Sequence, residues 1–237
     1  MTFNSFIQKI RYGSNFNKPY YMLKLAGNVL RSKYLGQTPL RGVDFAVSYS
    51  CNLECKHCFN DTLLKGEKKM ELNDYARVIK ESIKLGAISF AFQGGEILLL
   101  KGFEDVLRLV DPKRCSLSIT TNGSLLSNDM VKKLKDIGVN TVTISLDSGL
   151  AEEHDRFRGK NGSFASATQG IERLLQYGIK VVINSTITPA FLRSEGFHKL
   201  LKFSKNKKLL INTIFAAPSG RWSNNDKIVL KEGDIKL

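Results

Sequence analysis

From residue 43 onward the apolar positions follow two alternating rhythms. Short runs rich in β-branched and aromatic residues fall at 43–49, 88–92, 116–120, 141–145, 180–186 and 209–215, each with the length and composition of a strand. Between them lie segments at 72–85, 103–109, 129–137, 164–177 and about 193–205, in which apolar residues recur every three to four positions. That is the period of a helix with one buried face. Gly86, Gly138 and Gly178 follow three of these segments, where a left-handed residue closes a helix. Asn73, Asn128 and Ser163 are placed to cap helix N-termini, because their side chains accept from otherwise unpaired backbone N–H groups. Strands alternating with helices predict right-handed βαβ units and a parallel sheet. The class is therefore α/β, as an open sheet or a partial barrel.

In either arrangement the chemistry gathers where the loops leave the C-terminal ends of the strands. The polar and unusual residues fall there. The first strand leads into Cys51–Cys58, the second into Gln93-Gly94-Gly95-Glu96, the third into Thr121-Asn122-Gly123 and the fourth into Ser145-Leu146-Asp147. The fifth contains Asn184, and the sixth leads to Pro218-Ser219-Gly220-Arg221. No internal repeat beyond this period is visible, and no linker long enough to mark a second domain.

Before residue 43 the pattern changes. Pro19 suits the first turn of a helix, and Met22, Leu23, Ala26, Val29, Leu30 and Tyr34 fall on one arc, with Lys24, Asn28 and Arg31 opposite. Such a helix caps the end of a barrel or lies on a membrane surface. Lys33 interrupts the arc, which favours capping. Residues 1–41 carry seven Lys and Arg and no Asp or Glu, half of the net charge of +14. A basic arm attracts nucleic acid, anionic lipid or an acidic partner, but no nucleic-acid recognition motif accompanies the charge. The remaining composition, 42% hydrophobic and 24% charged with 5 Pro, excludes a disordered or collagen-like chain. No apolar stretch is long enough for a membrane span. Met1-Thr2-Phe3-Asn4 lacks the layout of a secretory signal, so the expected location is cytoplasmic.

Three of the four cysteines form Cys51-Asn-Leu-Glu-Cys55-Lys-His-Cys58. In a cytoplasmic chain, clustered thiols indicate metal or redox chemistry rather than disulfides. Zinc requires a fourth protein ligand in a closed site. His57 adjoins Cys58, so chelation through both is strained. A 4Fe–4S cluster held by three cysteines keeps one iron open for a ligand. Cys115 stands alone at the start of the third strand, where it reads as a buried, unreactive thiol.

A C-x3-C-x2-C loop after the first strand, with Gly-Gly-Glu after the second, resembles the radical S-adenosylmethionine (radical SAM) superfamily. Cys-Asn-Leu-x-Cys-Lys-His-Cys, Thr-Asn-Gly, Ser-Leu-Asp, the run His154–Gly159 and Pro-x-Gly-Arg resemble more narrowly the catalytic domain of its SPASM/peptide-maturase branch. The resemblance implies a partial (β/α)6 TIM-like barrel of parallel strands with a basic N-terminal helical extension. It divides the chain into an extension at 1–41, a core at 42–222 and a tail at 223–237, the last reading as the start of a further element.

It also implies roles. Cys51, Cys55 and Cys58 would bind three irons of a 4Fe–4S cluster, and S-adenosylmethionine would chelate the fourth. Gly94 and Gly95 would let backbone approach its methionine part, with Glu96 accepting from the ammonium. Thr121 and Asn122 would shape the floor. Ser145 would bond the ribose or the carboxylate, Arg158 would pair with the carboxylate, and Asp147 would touch ribose or cap its loop. Asn184 is a further candidate contact, and Phe59 a candidate stack for adenine. An electron donor such as flavodoxin or ferredoxin follows from the same resemblance. The implied activity is hydrogen abstraction by a 5′-deoxyadenosyl radical from a peptide or protein side chain. A tetrapyrrole, sugar-derived or lipid precursor is the alternative substrate, and a non-enzymatic zinc- or cluster-binding module the alternative of another class. Two departures stand out: Ile97 replaces the family's Pro after Glu96, and no cysteine follows Cys115 to hold the auxiliary clusters of SPASM members.

Overall fold

The computed structural model describes residues 18–59 and 70–235. Residues 1–17, with Lys9 and Arg11 of the basic arm, lie outside them. Strands β1 (Gly42–Ser48), β2 (Ser89–Gly94), β3 (Ser116–Thr121), β4 (Thr141–Ser145), β5 (Lys180–Ile187) and β6 (Leu210–Phe215) form one sheet. They lie in sequence order, every pair parallel, and the sheet does not close, so β1 and β6 are its edges. This is a partial TIM-like barrel.

Along each central strand alternate residues point to opposite faces. Phe90, Phe92, Leu117, Ile119, Val142, Ile144, Val181 and Ile183 are fully buried against the helices. Each such side chain contributes about 1.5–3 kcal/mol relative to exposure. Phe45 stacks on Phe92 at 5.0 Å and meets the edge of Tyr75 at 5.5 Å, which fastens the first helix of the barrel to β1 and β2. The opposite face is polar and partly open: Ser118, Thr120, Thr143, Ser145 and Asn184 lie on it. The core thus sits between sheet and helices, and the inner face is left for chemistry.

The helices are α1 (Pro19–Tyr34), α2 (Leu72–Lys84), α3 (Phe103–Arg108), α4 (Asn128–Ile137), α5 (Ala151–Arg158), α6 (Ser163–Gln176), α7 (Pro189–Leu192), α8 (Glu195–Lys207) and α9 (Glu232–Ile235). Gly86, Gly138 and Gly178 sit at φ +114°, +91° and +67° just past their helices, as the sequence predicts. The N-caps differ. Glu71 opens α2 in a reciprocal pair with Asp74, leaving Asn73 inside the helix. Ser127 accepts from Met130 N at 3.1 Å and caps α4, so Asn128 is the first helical residue. At α6 the cap is borrowed. The Asp155 carboxylate accepts from Gly162 N, Ser163 Oγ and Phe164 N at 2.6, 2.8 and 2.7 Å, so a carboxylate from α5 serves the orphan donors.

Helix α1 caps the N-terminal ends of the strands through the face opposite to its apolar arc. Lys18 Nζ donates to Cys115 O at 2.9 Å and Asn140 Oδ1 at 2.8 Å, Lys24 Nζ to Ile83 O at 2.9 Å, and Asn28 Nδ2 to Gly86 O at 2.8 Å. The carbonyls at this end need donors, and a polar helix face supplies them where leucines cannot. Cys115 is buried at this end.

Candidate functional site

The Cys loop leaves β1 and is held from three sides by segments distant in sequence. Cys51 is exposed, Cys58 half-buried and Cys55 buried, and Cys58 N donates to Cys55 O at 3.2 Å within the loop.

The first support comes from β2 and β3. Glu96 is fully buried. Its carboxylate accepts from Thr121 Oγ1 at 2.6 Å, Asn122 N at 2.8 Å and Leu98 N at 3.1 Å. Burial pushes this carboxyl up from its usual range, and the three donors work against that shift. Glu96 thereby joins the turn after β2 to the Thr-Asn-Gly turn after β3. Asn122 Nδ2 then bonds Asn52 Oδ1 at 2.9 Å and reaches Cys51 Sγ at 3.9 Å, while Asn52 Nδ2 donates to Ser124 Oγ at 2.9 Å. A Cβ on Gly94 or Gly95 would lie 2.1 Å from Ser48 O or 2.2 Å from Ser50 O. The close approach that these glycines allow is therefore made by the chain's own backbone at the mouth of the Cys loop.

The second support is α5. Asp147, after β4, is buried with Arg158. Arg158 Nε donates to Asp147 Oδ2 at 2.6 Å, and Thr186 N of β5 donates to Asp147 Oδ1 at 2.9 Å. Arg158 Nη1 reaches Cys55 Sγ at 3.6 Å. Burial works against the Asp147 charge, yet Arg158 holds its carboxyl below the usual range. Burial likewise pushes the Cys55 thiol up, and Arg158 opposes it. The guanidinium expected to meet a cofactor carboxylate is thus already paired within the fold. Asp147, expected at a ribose or as a loop cap, is the partner that holds it. Lys56 N donates to Phe157 O at 2.9 Å. His57 stacks on Phe157 at 4.6 Å and leans on Trp222 at 5.8 Å. Among the described residues, His57 Nδ1 is buried without a hydrogen-bond partner.

The third support is the segment after β6. Arg221 N donates to Cys58 O at 3.0 Å, and Arg221 Nη1 to Cys55 O at 3.3 Å. A Cβ on Gly220 would lie 2.3 Å from Cys58 O. Neither contact is visible in the sequence beyond the Gly-Arg pair itself. The stack of His57, Phe157 and Trp222 joins three segments and leaves no local signature.

Ser145 and Asn184 are register partners on the inner face of β4 and β5, and Asn184 Oδ1 accepts from Asn212 Nδ2 at 2.8 Å. They lie on the two strands that follow β3, after which Asn122 stands. Phe59 is exposed. A cavity of about 190 Å³ beside the ion pair is lined by Asp147, Ser148, Phe157, Thr186, Thr188 and Phe191 among others.

The donor set separates the metals. Among the described residues, no three Cys, His, Asp or Glu side chains gather as ligands of one ion. A zinc site needs four such ligands on one centre. A cubane cluster needs each thiolate on its own iron, and here two of the three sulfurs also face a nitrogen donor, Asn122 or Arg158. Donors aimed at sulfur stabilise thiolate charge and set the electronics of a cluster. The residues fit a three-cysteine 4Fe–4S group.

Residues 45–202 match the radical SAM superfamily model. Fe-coproporphyrin III synthase of Methanosarcina barkeri is 30% identical over 184 residues, 77% of this chain and 46% of that protein. The antilisterial bacteriocin subtilosin biosynthesis protein AlbA of Bacillus subtilis is 28% identical over 144 residues, 60% of this chain and 32% of that protein. Among solved structures, native anSMEcpe with bound AdoMet superposes with a TM-score of 0.67 at 25% identity, covering 83% of this chain and 57% of that one. The chain spans about half the length of such relatives. With its parallel sheet and its three-cysteine loop, it belongs to the radical SAM superfamily, whose enzymes work with a 4Fe–4S cluster and S-adenosylmethionine.

Proposed function

We propose that the chain is the catalytic core of a radical SAM enzyme acting on a peptide or protein side chain. Cys51, Cys55 and Cys58 would hold three irons of a 4Fe–4S cluster, leaving the fourth to S-adenosylmethionine. When bound, the cluster and S-adenosylmethionine would supply one-electron chemistry, the electron from the reduced cluster giving methionine and a 5′-deoxyadenosyl radical able to take a hydrogen atom from a substrate. A flavodoxin or ferredoxin in the cytoplasm suits the donor role. The observation that carries the reading is the pair of long-range contacts onto sulfur, Asn122 to Cys51 and Arg158 to Cys55.

The chain's own residues orient and shield. Gly94 and Gly95 bring the Cys loop against β2, and Glu96 fixes the Thr121–Asn122 floor. Glu96 and Arg158 act first on protein partners, so both are positioning residues. Ser145 and Asn184 present hydroxyl and amide groups along the inner face, where a methionine carboxylate or ribose would find donors. The polar inner face, open beyond β6, suits an extended peptide with backbone amides to satisfy. The likeness to the biosynthesis protein of a bacteriocin supports this class. The 30% identity to an Fe-coproporphyrin III synthase favours a tetrapyrrole as the second reading.

The test is anaerobic. After reconstitution with iron and sulfide, reduction and addition of S-adenosylmethionine, the protein should release 5′-deoxyadenosine, and Cys55→Ala should release none. A chain carrying about four irons that forms no deoxyadenosine would overturn the reading.

A further inference from the structure

We propose that the outward face of α1 seats the protein on an anionic membrane surface. The helix spends its polar face on the domain: Lys24 bonds the Ile83 carbonyl in the last turn of α2, Asn28 that of Gly86 ahead of β2, and Lys18, just before the helix, the Cys115 carbonyl and the Asn140 side chain ahead of β3 and β4. The opposite arc is left in solvent. Leu23, Leu30 and Tyr34, spaced at seven and four residues, are 74%, 55% and 68% exposed. Tyr20 and Val29 flank them, and Leu35 follows the helix. These six are among fourteen exposed large apolar side chains in the described residues, a concentration that scattered surface leucines do not produce.

Charge selects the occupant. Helix α1 contains Lys24, Arg31 and Lys33 and no acidic residue, within a 41-residue segment carrying seven positive charges and no negative one. A second copy would bring the same cations against these, on a chain of net charge +14, so self-association through this face is opposed by charge. An anionic bilayer supplies what the face lacks: an apolar layer for the leucines and negative headgroups for Arg31 and Lys33. Tyr34 has the amphipathic ring that settles at headgroup level, while Tyr20 at the margin of the face is held by Arg114, whose Nη2 donates to its hydroxyl at 2.8 Å. No helix of the described residues is long and apolar enough to cross a membrane, so the helix lies on the surface. It sits at the strand ends opposite to the Cys loop, and seating it leaves the candidate site open.

Vesicle flotation of the full chain tests this. Binding to phosphatidylcholine/phosphatidylglycerol vesicles should exceed binding to pure phosphatidylcholine at least tenfold. Leu23→Gln with Leu30→Gln, both at exposed positions, should abolish it while leaving thermal unfolding unchanged. Arg31→Gln with Lys33→Gln should weaken it severalfold. Three results would overturn the proposal: no binding to anionic vesicles; binding that survives the leucine changes, which is adsorption of a basic protein; or a dimer in sedimentation velocity that the leucine changes dissolve, which assigns the face to a second copy.

Discussion

Arg158 and Asp147 show how much one buried pair can carry. Their ion pair is inside the fold, and Arg158 also reaches Cys55 Sγ. Removing one partner of a buried pair leaves an uncompensated charge, which costs about 3–5 kcal/mol. Arg158→Gln should therefore lower the urea midpoint by that equivalent. It should also reduce iron bound per chain, because Cys55 loses the guanidinium that favours its thiolate. Unchanged stability would mean that Asp147 finds another partner. His154 sets a pH dependence. It is almost fully buried, its Nδ1 accepts from Asp147 N at 3.2 Å, and burial pulls its pKa down to about 4. The unfolded chain takes up this proton near pH 6.5, so below that value protonation favours the unfolded state until the folded imidazole also titrates. Stability contributed at neutral pH is lost between about pH 6.5 and 4, a gap equivalent to about 3 kcal/mol. Urea unfolding at pH 7.5 and 5 should show the loss, and His154→Gln should reduce it, leaving the share of His57, whose pKa burial also pulls down to about 4.

At the scale of elements, the sequence located all six strands, and five helices of the barrel to within about two residues at each end. Periodicity and glycine chemistry are local, and locality is what a single sequence displays. What it hid was tertiary. The run 151–158 has too few apolar residues to show a helical face, yet α5 forms because Asp155, His154 and Arg158 find partners in neighbouring segments. The arc of α1 was visible but its direction was not, since the carbonyls that claim Lys24 and Asn28 belong to residues about 60 positions away. The ends of α5 and α6 make a matched pair of tests. Gly159 and Gly162 both have positive φ, +69° and +80°, but a Cβ on Gly159 would lie 2.5 Å from Glu54 O, whereas Gly162 has nothing within 4 Å. Gly162→Ala should cost only the strain of a left-handed alanine, of order 1 kcal/mol, with iron loading intact. Gly159→Ala should cost more and lower iron per chain, because the contact pushes on the Cys loop.

For the whole molecule, the site is an assembly of five loops. The cysteines were legible because their spacing is a local signature, whereas Cys55 and Arg158 stand 103 residues apart. The same long-range logic leaves an unfinished boundary at β6. Among the described residues this strand pairs on one side only, and it exposes Ile214 and Phe215. An edge with apolar side chains is a template for pairing with another chain. Against this stands the net charge of +14, which keeps copies apart as long as it is felt across the gap. Raising ionic strength from about 0.01 to 0.15 M shortens the screening length from roughly 30 to 8 Å, and the balance should tip with it. Sedimentation velocity should find a monomer at low salt and concentration-dependent association near physiological salt. Phe215→Lys, which puts a charge on the edge, should remain monomeric in both. Association that ignores Phe215→Lys would place the sticky surface elsewhere, and association that weakens with salt would mean that charge, not the edge, drives it.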